Sequence, residues 1–259
     1  MTKMANKKLQ LGIFSFTSCE GCLVEFLSLE ENLLDVIKHF DIINFPLANE
    51  KHNTKGPFDV AIIEGSIDKK SQIKELEEIR KNSKFLIAYG ACAAHGCVQG
   101  INNFFNKKRL AKQVYGAENA IETQENNPLD KFIKVDYYCY GCPVYHPEVL
   151  NVLKQIAAGA VPRQRVKPVC YECRLNENEC LLQKGMPCLG PVTNCGCNSI
   201  CTNADYPCTG CRGPLNDENL DAFLTILKSK GFTKDEISRL FKKYAPTSDK
   251  WKELAKWKS

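Results

Sequence analysis

Hydrophobic positions in the first 160 residues alternate between two periods. Largely apolar runs of strand length lie at 9–16, 42–45, 60–63, 85–89 and 132–138. Between them, residues 23–38 place Leu23, Phe26, Leu27, Leu33, Leu34 and Ile37 at helical spacing. Residues 71–82 do the same with Ile73, Leu76 and Ile79, and 147–158 form a closing helical stretch. Apolar residues recurring every three to four positions predict amphipathic helices, and continuous apolar runs predict strands covered on both faces. Their alternation predicts an α/β domain, a parallel sheet flanked by helices.

The pattern stops near residue 165. From 170 to 211, prolines, glycines and asparagines interrupt every apolar group, so this segment is expected to need something other than packing to hold it. A helical stretch resumes at Leu215–Lys230, followed by Trp251 and Trp257 among lysines. That tail is expected either to cap the surface or to pack on a partner. The expected division is 1–165, 166–214 and 215–259.

Composition narrows the function classes. The chain has 259 residues, 44% hydrophobic and 25% charged, which fits an ordered protein. Thirty-five basic against 30 acidic residues give +5, too mild a balance to argue for nucleic acid. No apolar stretch is long enough for a membrane-spanning helix. Met1 to Gln10 carries scattered lysines, no apolar stretch and no twin-arginine pair, so no export signal is read and a cytoplasmic place is expected.

Cysteine changes the picture. There are 15, an odd number, and nine of them fall within residues 170–211. An intracellular chain does not keep so many thiols as a disulfide frame, so metal or redox chemistry is expected. Cys19 and Cys22 follow the first predicted strand, Cys92 the 85–89 strand and Cys142 the 132–138 strand. All four would sit at the carboxyl edge of the sheet, where open α/β sheets bind ligands. Gly21, Gly90 and Gly141 stand beside them and allow close backbone approach. Four thiolates hold zinc or an iron–sulfur cluster. Nine cysteines packed in series beside a separate set of four favour iron–sulfur over zinc.

Ser18-Cys19-Glu20-Gly21-Cys22, Glu64-Gly65, Gly90-Ala91-Cys92-Ala93 and Gly141-Cys142-Pro143 occur in an order that resembles the small subunit of nickel–iron hydrogenases. The resemblance continues through Cys180 to Cys188-Leu189-Gly190-Pro191, Cys197 and Cys208-Thr209-Gly210-Cys211, covering roughly residues 9–214. It implies a flavodoxin-like domain followed by a cluster-binding domain. It also implies three 4Fe–4S clusters: a proximal one on Cys19, Cys22, Cys92 and Cys142; a medial one on Cys197, Cys201, Cys208 and Cys211; and a distal one on Cys170, Cys173, Cys180 and Cys188. The exported, membrane-associated branch has histidine where Cys170 stands and only three medial cysteines. Cys170 and Cys201 therefore resemble the cytoplasmic branch, and Cys201 implies a 4Fe–4S rather than a 3Fe–4S medial cluster.

The implied function is electron transfer within an oxidoreductase. Electrons would pass between the nickel–iron site of a large subunit and a further redox subunit of flavin, nicotinamide, deazaflavin or heterodisulfide reductase type. This chain has no catalytic residue of its own. The helix beginning at Cys22 is expected to line the large subunit. The alternatives are an iron–sulfur subunit of a related quinone oxidoreductase and a zinc-stabilised interaction module. Cys97, Cys139 and Cys195 lie near the assigned cysteines and are possible substitutes, but are expected to be bystanders. Glu20 and Glu25 are expected to be surface or capping carboxylates. Glu64 is read equally as a carboxylate serving the site and as an ordinary one. His95 is expected to be a polar loop residue, and Asn106–Lys112 a solvated helix face.

Overall fold

The computed structural model describes residues 7–50, 52–118, 124–217 and 219–256. Trp257 lies outside them. Five parallel strands form one sheet: β1 (Leu9–Ser15), β2 (Phe40–Asn44), β3 (Phe58–Glu64), β4 (Ser83–Tyr89) and β5 (Tyr137–Cys139), in the order β2-β1-β3-β4-β5. This is the flavodoxin-like order, with its switch point between β1 and β3.

Successive strand residues point to opposite faces. Leu11, Ile13, Val60, Ile62 and Ile87 pack under α1 (Gly21–Leu27), α2 (Glu31–His39) and α6 (His146–Ala157). Phe14, Ala61, Ile63, Leu86 and Ala88 pack under α3 (Lys70–Lys81) and α4 (Gly90–His95). Fully burying a side chain such as Phe26 stabilises by about 1.5–3 kcal/mol. The basic helix α5 (Lys107–Tyr115) buries Ala111 and turns Lys108, Arg109 and Lys112 to solvent, as expected of that stretch.

Two elements differ from the pattern reading. The 23–38 stretch is two helices, not one. The chain turns at residues 28–30, and Glu30 takes a left-handed φ of 51°. The 132–138 run contributes only its end to the sheet. Phe132, Ile133 and Val135 are apolar because they pack against the second face, without joining the ladder. Asp136 begins the pairing by giving its amide to Leu86 O and accepting the Leu86 amide on its carboxylate.

Beyond the sheet come α7 (Val169–Leu175), α8 (Ile200–Asn203), α9 (Leu220–Ser229), α10 (Lys234–Lys242) and α11 (Lys252–Ala255). The cysteine-rich segment does share an apolar core. Val169, Leu181, Leu182, Leu189 and Val192 are covered by Phe223, Leu227, Ile237, Phe241 and Trp251 from the last three helices and the turn between them. A reading of that segment alone could not find this core, because half of it lies downstream. Among the described residues, no helix is long and apolar enough to cross a membrane.

Candidate metal centres along the sheet edge and the cysteine-rich segment

The first set stands at the carboxyl edge of the sheet. Cys19 is exposed on the loop after β1, and Cys22 is buried in the first turn of α1. Glu64, the last residue of β3, is fully buried and its carboxylate accepts the amides of Cys22 (3.3 Å) and Leu23 (3.0 Å). It therefore satisfies donors that a helix start leaves unpaired. Its role is that of an anchor that fixes Cys22. Burial raises the Glu64 pKa, and the two amides work against that rise.

Cys92 lies on α4 and Cys142 on the turn after β5. The Ala91 amide ties the two by donating to Gly141 O at 2.7 Å. Gly90 has φ +87°, and a Cβ there would stand 2.5 Å from Cys22 Sγ. Only glycine lets α4 start this close to the thiol.

Two of the unassigned thiols differ in character. Cys97 is buried beside Cys92 and Cys142, and its thiol lowers the pKa of Cys142. Cys139 is sealed in the sheet core, where burial pushes its thiol up.

The second set shares one cavity of about 450 Å³. Cys197, Cys201, Cys208 and Cys211 line it together with Cys142 and Arg212. Cys195 is buried elsewhere: its amide donates to Lys167 O and its carbonyl accepts from Arg212. The loop carrying Cys197 is held by Glu172, whose carboxylate accepts the amides of Gly196 (2.9 Å) and Ser199 (3.3 Å). Asn176 and Asn178 brace the same loop through Ser199 and Asn203.

In the third set, Cys170 and Cys173 are three apart on α7 and so share a face. A methyl placed on Gly190 would lie 3.3 Å from Cys170 Sγ and 3.5 Å from Cys188 Sγ, so both sulfurs crowd one point. Cys180 is exposed.

Burial pushes up the thiols of Cys170 and Cys211, each to about 12, and raises Cys22, Cys188, Cys197 and Cys208 as well. Backbone amides oppose this at several sulfurs: Val144 at Cys22, Cys142 at Cys211, Ser199 and Ile200 at Cys197, and Gly190 and Cys208 at Cys188. Amide donors aimed at buried sulfur fit thiolates that bind metal, which must lose their protons first. No group of three or more His, Cys, Asp or Glu among the described residues is gathered for a single metal ion.

One expectation changed. His95 is not a loop residue but the buried end of α4, stacked on Tyr140 with centroids 5.2 Å apart. Burial lowers its pKa to about 4. Glu25 is a partly exposed carboxylate lying against His146, in line with the surface reading, and Glu20 sits at the N-terminal boundary of α1 without capping it. Arg212 escaped the sequence reading altogether. It is fully buried beside Cys211 and paired with Glu148, 64 positions away. The only sequence sign was a charge placed directly after a Cys-x2-Cys pair.

The family model for the NADH ubiquinone oxidoreductase 20 Kd subunit matches residues 19–156, which contain the whole first set. The chain belongs to this family. Among its relatives, sulfhydrogenase 2 subunit delta of Pyrococcus furiosus is 38% identical over 92% of this chain and 99% of its own length. A subunit of the F420-non-reducing hydrogenase vhu of Methanocaldococcus jannaschii is 31% identical, over 84% of this chain and 86% of its own. A crystal structure of an NAD+-reducing [NiFe]-hydrogenase in the H2-reduced state contains a chain that superposes with a TM-score of 0.55 at 25% identity. That match covers 61% of this chain and 96% of the other. By family this chain is an oxidoreductase subunit with the flavodoxin-like fold, and by its relatives one of hydrogenase type.

Proposed function

We propose that this chain is the electron-transfer small subunit of a nickel–iron hydrogenase. It would hold three 4Fe–4S clusters: on Cys19, Cys22, Cys92 and Cys142; on Cys197, Cys201, Cys208 and Cys211; and on Cys170, Cys173, Cys180 and Cys188. On this reading residues 1–165 carry the first set, 166–214 the other two, and 215–259 the helices that cover them. When bound, an iron–sulfur cluster accepts and returns an electron at a potential set by its surroundings.

The observation that carries the reading is the serial contact of the three sets. Cys142, of the first, lines the cavity of the second and gives its amide to Cys211. Cys208, of the second, gives its amide to Cys188 of the third. Glu64 and Glu172 hold the loops on which the first two sets depend. The open first set, with Cys19 and Cys142 exposed, would face a large subunit bearing the nickel–iron site. The exposed Cys180 end would face a flavin, nicotinamide or heterodisulfide reductase type of partner, and the complex would work in the cytoplasm.

Anaerobic purification from the source cells followed by metal analysis tests this. About twelve iron and about twelve acid-labile sulfide per chain are expected, in company with a nickel protein. A colourless, zinc-loaded chain, or one with about four iron, would overturn the reading.

A further inference from the structure

Arg212 and Glu148 form a largely buried ion pair beside the second set. Arg212 is 1% exposed. Its Nε donates to Cys195 O (2.8 Å) and its Nη1 to Tyr140 O (2.7 Å). Nη1 and Nη2 also clasp the two Glu148 carboxylate oxygens at 2.7 and 2.8 Å. The guanidinium lies over the Tyr140 ring, 5.7 Å from its centre. Gly196 is required beside it, since a Cβ there would overlap the guanidinium.

The pair is not placed evenly. Arg212 lines the cavity shared by Cys197, Cys201, Cys208 and Cys211. Glu148 lines a different cavity, with Arg165 and Glu172. The cation therefore borders the cavity of the four thiols, with its charge acting on Cys197 and Cys211, while the carboxylate borders the other cavity. Stability alone gives no reason for charge here, because a buried ion pair is often no better than apolar residues of the same volume.

We infer that the Arg212–Glu148 pair sets the reduction potential of the group held by Cys197, Cys201, Cys208 and Cys211, Arg212 raising it and Glu148 restraining that rise. This rests on the proposed reading that these four cysteines hold a 4Fe–4S cluster. Reduction adds one electron, and one negative charge, to the group they hold. A fixed cation on the cavity wall favours the reduced form, and a carboxylate behind that cation weakens its field. Arg212 does this by position and fixed charge, without itself gaining or losing a proton. The set in the middle of the series would then hold its electron more firmly than a neutral wall allows, so that neither flanking set is left reduced at its expense.

The test is a potentiometric titration of the assembled complex, followed by low-temperature electron paramagnetic resonance. Glu148→Gln keeps an oxygen for the guanidinium and removes the opposing charge, so the midpoint of this centre should rise. The expected rise is a shift of about tenfold in the reduced-to-oxidised ratio, which is 59 mV for one electron. Arg212→Gln should move the midpoint the other way. Arg212→Gln with Glu148→Gln should lower it by less than Arg212→Gln alone.

A purely structural role would move both single variants in one direction, or cost iron in both. An unchanged midpoint in Glu148→Gln at full iron content, or shifts of the same sign, would overturn the inference. If Arg212→Gln loses iron, the Glu148→Gln shift decides alone. A wild-type complex lacking about four iron and any redox-active centre at these cysteines would instead remove the underlying reading, and iron analysis tells the two failures apart.

Discussion

The backbone amide of Cys208 donates to Cys188 Sγ at 3.3 Å, and the Leu189 amide returns the contact by donating to Cys208 O at 2.8 Å. Two cysteines twenty positions apart, assigned to different sets, are thus held together by the Cys208 amide on the Cys188 sulfur and by the amide of the next residue, Leu189, on the Cys208 carbonyl. At the other end of the second set, the Cys142 amide donates to Cys211 sulfur. In both contacts a backbone amide of one set meets a buried sulfur of the next. The spacing between the three sets is therefore fixed by secondary contacts of the ligand loops themselves. On the proposed reading that constancy matters, because each electron step depends on how far apart neighbouring centres are held.

Cys197→Ser and Cys195→Ser separate two registers that the sequence leaves close together. Cys197 lines the 450 Å³ cavity with the other three members of its set, and Cys195 faces Glu172, Lys167 and Arg212 instead. Cys197→Ser is expected to lose about four iron per chain. Cys195→Ser is expected to keep them. Iron assay and low-temperature electron paramagnetic resonance on the two purified variants check this, and the reverse pattern would shift the register by two.

Gly90→Ala should disable the first set without unfolding the sheet. The substitution meets a left-handed backbone, which costs on the order of 1–3 kcal/mol, and drives a Cβ to within 2.5 Å of Cys22 Sγ. Gly159→Ala is the control: its φ is also positive, +76°, but no atom lies within 4 Å of the added carbon. Both variants should lose stability to the shared backbone strain in thermal melts, Gly90→Ala the more because of its added clash. Only Gly90→Ala should lose the iron of Cys19, Cys22, Cys92 and Cys142.

What could be read ahead of the structure was whatever repeats locally. Ile62 and Ile87 announce strands because their neighbours are apolar too, and Cys19, Cys92 and Cys142 follow strands closely enough to be placed on one sheet edge. Phe132 and Ile133 misled because burial, not ladder pairing, accounts for their character. The break at Glu30 left the apolar spacing intact, so nothing announced it. Phe223, Phe241 and Trp251 complete the core of the cysteine-rich segment from far downstream, and Arg212 finds Glu148 across 64 positions. Such long-range partners carry no period, so only the folded chain brings them together.

His95 should make the fold sensitive to mild acid. Its pKa is lowered by burial to about 4, against 6.5 for an ordinary histidine. Between those values the unfolded chain binds a proton that the folded chain refuses, so stability falls as pH drops from 6.5 towards 4. The effect is on the order of 2–3 kcal/mol. His95→Gln, which has no such proton to refuse, should show a smaller fall in melting temperature between pH 7 and pH 5 than the wild type. Equal falls in the two proteins would mean that other groups control acid stability.

Trp251 should protect the second set from a distance. Its ring is fully buried, meets Phe241 edge-on with centroids 5.0 Å apart, and rests on the Cys208–Cys211 turn: a Cβ on Gly210 would touch it at 3.1 Å. Trp251→Ala removes that support and leaves a cavity, at a cost of about 3–5 kcal/mol. The cost falls on the core shared by the cysteine-rich segment and the last helices, whereas Cys22 belongs to the separate core of the sheet. Iron should therefore leave the second and third sets first when the variant is challenged with a chelator under nitrogen, while the first set keeps its signal. Trp251→Phe, which retains an aromatic face for Phe241, should fall between the variant and the wild type. Release from all three sets at one common rate would mean that the two cores unfold as a single unit, and that Trp251 supports the whole chain rather than the turn beneath it.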